Sequence, residues 1–466
     1  MIRFKKSSVL LSMVLALVLI LSACSSGNNN NSGNSGSNQQ AGNTASPSAS
    51  PTVEPEKDPD PVTLYVGWRQ GDWNFETYMK TPIEAKFPHI TLEKYDYQTH
   101  EVPAMEEAIA RGEVGDIIEI PNIENAATLR ERFGVVLPLD ELIEKNNTDL
   151  SVIEPSYLQV MRDISGGEII TFPMNRAFGM LAYNKDVFDA FNVDYPTDNM
   201  TWPEVLELAA KVTGERDGVD YKGIGLAGWN QTSYIWMRTL PIIDENDKVN
   251  VENNPEIRRW LELAQSYLDL GITHSDPTKG PFAFGGSNFK TDRNVAMYAT
   301  YFDVPGMAGN EGLNFDVVTH PVWPDNPEYG PTPYGTGMVI NPHSEHIDEA
   351  YRVLEYIVSA EYQQMSAELW GRPSIGNDPI LWDNFGAEVE SLVNRKAEGI
   401  EYNILGALTK VKAHPAPQYR HPYLNHGLDF GTLMAEFAES KLDVPSFLRV
   451  LQERVEASVA EQLAQR

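Results

Sequence analysis

The chain has 466 residues and a formal net charge of −30, from 66 Asp and Glu against 36 Lys and Arg. That balance excludes nucleic acid as a partner, because phosphates would be repelled, and argues equally against docking on anionic lipid headgroups. The length is too great for one comfortable core and sets two lobes as the expectation for the body.

Arg3, Lys5 and Lys6 form a short cationic head before an apolar run over residues 9–21. A membrane-spanning helix needs about 20 apolar residues, so this run fits the centre of a secretion signal. It ends in Leu21-Ser22-Ala23-Cys24, which resembles the lipobox of bacterial lipoproteins. The resemblance implies removal of residues 1–23 as a signal peptide and a diacylglycerol on the Cys24 thiol. Cys24 is the single cysteine, so the body has no intrachain disulfide, Cys-ligated metal or Cys nucleophile. Residues 24–61 are Asn, Ser, Gly and Gln, then Pro-rich, and have almost nothing apolar to bury. They read as a tether holding the body off the membrane. The layout suggests a lipid anchor on the extracellular face of a Gram-positive cell membrane. No later run is apolar and long enough to span a bilayer.

The body opens with strand and helix in alternation. Val62-Thr63-Leu64-Tyr65-Val66 reads as a strand, residues 79–87 as a helix stopped by Pro88, and residues 90–95 as a second strand. Met105, Ile109 and Ala110 suggest a short helix, and residues 116–120 a third strand before Pro121. Alternation of this kind favours a layered α/β sheet, whose ligands bind at the carboxyl ends of the strands. Trp68, Arg69 and Asp72, with Glu119 and Asn122, fall on loops at those ends. Further on, residues 169–173 and 180–184 are strand-like, separated by Met174-Asn175-Arg176. Thr201-Trp202-Pro203-Glu204 predicts a capped helix start, with the Thr hydroxyl and Glu204 satisfying free backbone amides. Helices are expected over residues 255–270, 347–358 and 446–463.

From residue 62 to the C-terminus the chain resembles the family 1 extracellular solute-binding proteins, which include the maltose- and oligosaccharide-binding components of ABC importers. The resemblance rests on Gly115-Asp116-Ile117-Ile118, on Leu137-Pro138-Leu139-Asp140-Glu141-Leu142-Ile143, and on a block from Phe172-Pro173 through Leu181-Ala182-Tyr183-Asn184-Lys185-Asp186-Val187-Phe188 to Thr201-Trp202-Pro203-Glu204. Val295-Ala296-Met297, Tyr334-Gly335-Thr336-Gly337 and residues 350–357 continue it in order. It implies an α/β periplasmic-binding-protein type II clamshell with a discontinuous chain path and a hinge. Lobe 1 would hold residues 62–173 and 321–357, and lobe 2 residues 174–320 and 358–466. It further implies a monomer without a cofactor, whose partners are a small ligand and the membrane permease subunits of an importer.

A pyranose presents hydroxyls at its edge and C–H faces above and below, so aromatic rings beside Asp, Asn, Arg and Glu are the expected contacts. The 9 Trp and 20 Tyr supply candidates. They are Trp68 with Arg69 and Asp72 after the first strand, Asn122 after the third, and Asn175, Arg176 and Phe178 at the hinge. Trp229, the group Tyr301, Phe302 and Asp303, and the late-loop residue Tyr419 complete them. The Gly-Pro-Trp usual in the family near position 301 is missing.

The rival reading is a surface glycoside hydrolase, which needs two carboxylates about 5–10 Å apart, a spacing that chance supplies in so acidic a chain. No HExxH, GxSxG or Walker loop is present. Gly223-Ile224-Gly225-Leu226-Ala227-Gly228 matches a dinucleotide-binding glycine pattern, but Ile224 and its neighbours read as the strand itself. His343 and His346 read as solvated groups around a helix start, with Ser344 as its cap, and His414, His421 and His426 as loop histidines; no metal site is expected. Asp244, Asn246 and Asp247 read as a hairpin turn rather than a calcium loop. Peptide or anion binding on the same fold stays open.

Overall fold

The computed structural model describes residues 59–123, 125–226, 241–273, 282, 285–331, 335–409, 424, 427–428 and 430–464. Residues 1–58, with the expected signal, Cys24 and most of the expected tether, lie outside the described residues, as do Trp229 and Tyr419.

In chain order the strands are β1 (Val62–Trp68), β2 (Ile90–Asp96), β3 (Ile117–Ile120), β4 (Phe172–Pro173), β5 (Gly179–Asn184), β6 (Gly214–Arg216), β7 (Val219–Leu226), β8 (Val295–Tyr301), β9 (Phe315–Thr319) and β10 (Gly337–Ile340). They form two five-stranded sheets, ordered β2-β1-β3-β10-β4 and β6-β7-β8-β5-β9. In the first, β1 runs parallel to β2 and β3, and β10 runs antiparallel to β3. The carboxyl ends of β1, β2 and β3 therefore share one edge with the start of β10. In the second, β5 is antiparallel to β8 and β9, while β7 is parallel to β8.

Strand parity decides what each sheet buries. Leu64, Val66 and Trp68 point to one face of β1, into a core with Phe75, Met79, Ile117, Phe172, Met338 and Leu354. Ile118, Ile120 and Val339 point to the other, beneath the helices Val102–Arg111 and Asn125–Phe133. The second sheet's core includes Leu181, Trp202, Trp260, Met297 and Val317, closed by Phe447, Leu451, Val455 and Val459 of the helix Val444–Ala464. At Thr201 the capping box forms: Glu204 N donates to Thr201 Oγ1 at 3.4 Å, and Thr201 N donates to Glu204 Oε2 at 2.7 Å.

The lobe boundary expected at residue 358 moves. Val358, Tyr362 and Ile375 pack into the first core, so the helix Ala360–Trp370 belongs with the first lobe. Among the described residues the chain crosses between cores three times: through residues 174–178, through residues 320–336, and after Ile375 on its way to Leu392 in the second core.

Candidate functional site

The carboxyl edge of the first sheet gathers polar side chains. Glu119 alternates with Ile118 and Ile120 on β3 and is fully buried. Its Oε1 faces Arg69 Nη2 at 3.2 Å and accepts from Gln70 Nε2 at 2.8 Å. Its Oε2 has no hydrogen-bond partner, and neither do Arg69 Nε, Asn122 Oδ1 or Asn125 Oδ1. Burial raises the Glu119 carboxyl above the usual range, and the charges of Arg69 and Arg372 with the Gln70 hydrogen bond pull it back. Buried polar atoms are normally satisfied in a native protein, and these unpaired ones gather at the carboxyl edge, the side on which sheets of this kind bind ligands.

Trp68 was expected to stack on ligand, and the structure corrects this. Parity puts its ring on the Leu64 and Val66 face, fully buried, 5.5 Å edge-on from Phe75, with Nε1 donating to Gly71 O at 3.1 Å. The ring with a free face is Trp73, five residues on and 67 % exposed. It meets Tyr78 at 5.5 Å, and Tyr78 meets Trp370 at 4.8 Å. The Arg372 guanidinium lies 4.3 Å from the Tyr78 ring and close enough to Glu119 for their charges to couple. An aromatic ledge therefore runs outward from the buried carboxylate. Asp72 faces outward, exposed, and pairs with Lys94 at 2.8 Å, which holds its carboxyl below the usual range.

Asn175 and Arg176 sit where the crossings meet. Thr336 N donates to Asn175 Oδ1 at 3.0 Å. A Cβ on Gly335 would stand 2.1 Å from Asn175 O, so only glycine allows the two segments to pass this closely. Arg176 is 2 % exposed. It reaches Glu154 at 3.2 Å and Asn377 Oδ1, and its guanidinium lies 4.0 Å from the Phe178 ring. Burial lowers the Arg176 guanidinium to about 10, against the pull of Glu154. These contacts tie the first crossing to segments that flank the first core, while Arg176 Nε has no hydrogen-bond partner. Phe178 packs toward Trp382 at 6.2 Å, in a small cluster with Val152, Phe302 and Phe385.

On the second sheet, Tyr301 pairs with Gly179 across β5 and β8 and is buried within the sheet. Phe302 N donates to Phe178 O at 2.8 Å, and the Phe302 ring sits 5.6 Å from Phe385. Asp303 remains half-exposed at the start of the helix Val304–Ala308, 3.0 Å from Lys290. Of this group, Asp303 offers the most open polar end. His320, at the second crossing, is buried, and burial lowers its imidazole to about 4.

Three weaker motifs resolve structurally. Gly223 lies within β7, where a Cβ would stand 2.0 Å from Ala209 O, so close helix-to-strand packing explains the glycine. Asp244 Oδ1 accepts from Asn246 N at 2.8 Å and Lys248 N at 2.9 Å, a turn closed on itself. Ser344 Oγ accepts from His346 N, but the residue at the cap position before the helix Ile347–Ile357 is His346. Among the described residues no cluster of His, Cys, Asp and Glu fits a metal ion, and no helix is long and apolar enough to cross a membrane.

Two α/β lobes joined by three crossings, with open polar atoms along a strand edge, define a two-lobed binding protein of the type II clamshell class. The family model for bacterial extracellular solute-binding proteins matches residues 72–364, and the chain belongs to that family. Among curated relatives, the sn-glycerol-3-phosphate-binding periplasmic protein UgpB of Rhizobium meliloti is 30% identical over 259 residues, 52% of this chain and 57% of that protein. The UgpB of Brucella abortus is 24% identical over 223 residues, 44% of this chain and 48% of its own. The chain spans about half the length of the curated relatives it matches. Among solved structures, the cyclic alpha-maltosyl-1,6-maltose binding protein from Arthrobacter globiformis superposes with a TM-score of 0.62 at 14% identity, covering 86% of this chain and 99% of that one. The ABC substrate-binding protein from Listeria monocytogenes in complex with cycloalternan gives 0.61 at 16%, covering 86% and 100%.

Proposed function

We propose that the protein captures an uncharged carbohydrate outside the cell and delivers it to the membrane subunits of an ABC importer, anchored through a lipid on Cys24. The observation that carries this reading is the edge at Glu119. Glu119 Oε2, Asn122 Oδ1 and Asn125 Oδ1 are open acceptors, and Arg69 Nε is an open donor. Sugar hydroxyls both donate and accept, so they match this mixed set. The ledge of Trp73, Tyr78 and Trp370 supports it by offering ring faces for C–H surfaces. Lobe closure by hinge motion presents the ligand-bound form to the importer, and no bond is made or broken.

Names among the relatives favour a second ligand, a phosphorylated polyol such as sn-glycerol 3-phosphate. Arg69 and Arg372, both near Glu119, are the cations it would use. Thermal unfolding of the full chain against neutral sugars, sugar alcohols, glycerol 3-phosphate, peptides and metals tests the assignment. A ligand at 100 times its Kd stabilises the native state by about 2.7 kcal/mol, a visible shift. A shift with a neutral glycan that is recovered intact by chromatography supports the proposal. A shift only with the phosphate ester, or a cleaved glycan, overturns it.

A further inference from the structure

A cavity of about 490 Å³ opens on the Tyr65 face of the first sheet, toward the side where β1 and β3 begin and β10 ends. It exists because the covering helices stop short. The helix Val102–Arg111 ends at Gly112, whose φ is +70°, and the helix Asn125–Phe133 ends at Phe133. Beyond them Tyr65 and Tyr95 lie bare on the sheet, stacked at 4.8 Å with their planes 8° apart, and Tyr65 is 39 % exposed. Ile109 and Phe133 complete the apolar wall.

The charged groups of the lining are carboxylates, Asp116 and Glu345; the imidazoles of His343 and His346 stand beside them, and among the described residues no Lys or Arg lines the cavity. Among the described residues Asp116 is held by neutral donors, Tyr65 N at 2.7 Å and Ser344 Oγ at 2.6 Å, and by no Lys or Arg. Arg111 is paired with Glu107 and Glu113, and Arg132 with Glu106, its guanidinium 5.6 Å from the Phe133 ring. Aromatic faces together with uncompensated carboxylates are the environment that attracts a cation with an apolar body.

We infer that this cavity is a second binding site, separate from the Glu119 edge, for a small organic cation of the ammonium type carrying an apolar or aromatic group. Its volume is within the range of small-ligand pockets, about 300–1,000 Å³. The site does not depend on the carbohydrate reading.

Ligand-observed NMR and calorimetric titration of the full chain at pH 7.5, with benzylammonium, benzyl alcohol and benzoate as probes of matched shape, test the inference. Benzylammonium is expected to bind about tenfold more tightly than benzyl alcohol, and benzoate not at all. Tyr65→Ala should abolish the binding. Exposed Glu345→Gln, which does not threaten the fold, should narrow the preference for the cation while leaving the alcohol unchanged. Equal binding of all three probes, no binding of any, or cation binding untouched by both substitutions overturns the assignment.

Discussion

Removing the guanidinium of Arg176 should loosen the molecule at its crossings. The side chain is buried, paired with Glu154 at 3.2 Å, bonded to Asn377 and set over the Phe178 ring. Arg176→Met keeps most of the volume but strands the Glu154 carboxylate, which is itself buried. Breaking a buried pair from one side costs about 3–5 kcal/mol. Glu154 Oε2 keeps its bond from Tyr157 N at 2.8 Å, where it caps the helix Pro155–Asp163. The lower end, about 3 kcal/mol, is therefore expected. Urea unfolding of wild type, Arg176→Met, Glu154→Gln and the double variant measures it. The double variant should lose less than the sum of the singles, because the second removal strands nothing. Additive losses would show that the two side chains do not support each other, and an Arg176→Met protein with wild-type stability and abolished ligand binding would show that Arg176 meets the ligand.

Gly335→Ala should destabilise by more than about 2 kcal/mol, read from the same urea midpoints, because the new methyl would stand 2.1 Å from a backbone oxygen. His320 gives a pH signature. Its folded value of about 4 lies below the ordinary 6.5, so the unfolded state binds more protons as pH falls. Its contribution is fully present above pH 6.5, shrinks as pH falls, and amounts to about 3 kcal/mol lost by pH 4. Melting curves between pH 7 and 5 should fall more steeply for wild type than for His320→Gln; equal slopes would remove His320 as the cause. Trp73→Ala should weaken sugar binding about tenfold by titration while leaving the melting temperature unchanged, since the ring is mostly exposed.

The fold was legible where periodicity and caps agree. The capped start at Thr201, the strands over residues 62–66 and 90–95 and the helix on residues 255–269 all stand where pattern places them. β9 was missed, because Phe315-Asp316-Val317-Val318-Thr319 has no clear alternation and is recognisable only by pairing with β5. The site was legible as a neighbourhood but not residue by residue. Strand-end reasoning puts Arg69, Glu119 and Asn122 on one edge, and the sheet order brings them together there. It chose Trp68 over Trp73, because a strand's last residue and the helix after it cannot be sorted into inward and outward without the exact strand end. Parity counted from Leu64 would have put Trp68 inside. The partners of Arg176, Glu154 and Asn377, are distant in sequence and meet it only through the fold, so no local pattern could announce them.

The central claim is that a neutral glycan is held at the Glu119 edge. Calorimetric titration of the full chain, Glu119→Gln and Trp73→Ala with the glycan giving the largest thermal shift tests it most directly. Both variants should stay folded, Glu119→Gln with some loss of stability because Arg69 loses its carboxylate, and both should bind at least about tenfold more weakly, since each removes a group that a sugar engages. Unchanged affinity in both would place the ligand elsewhere and contradict the account.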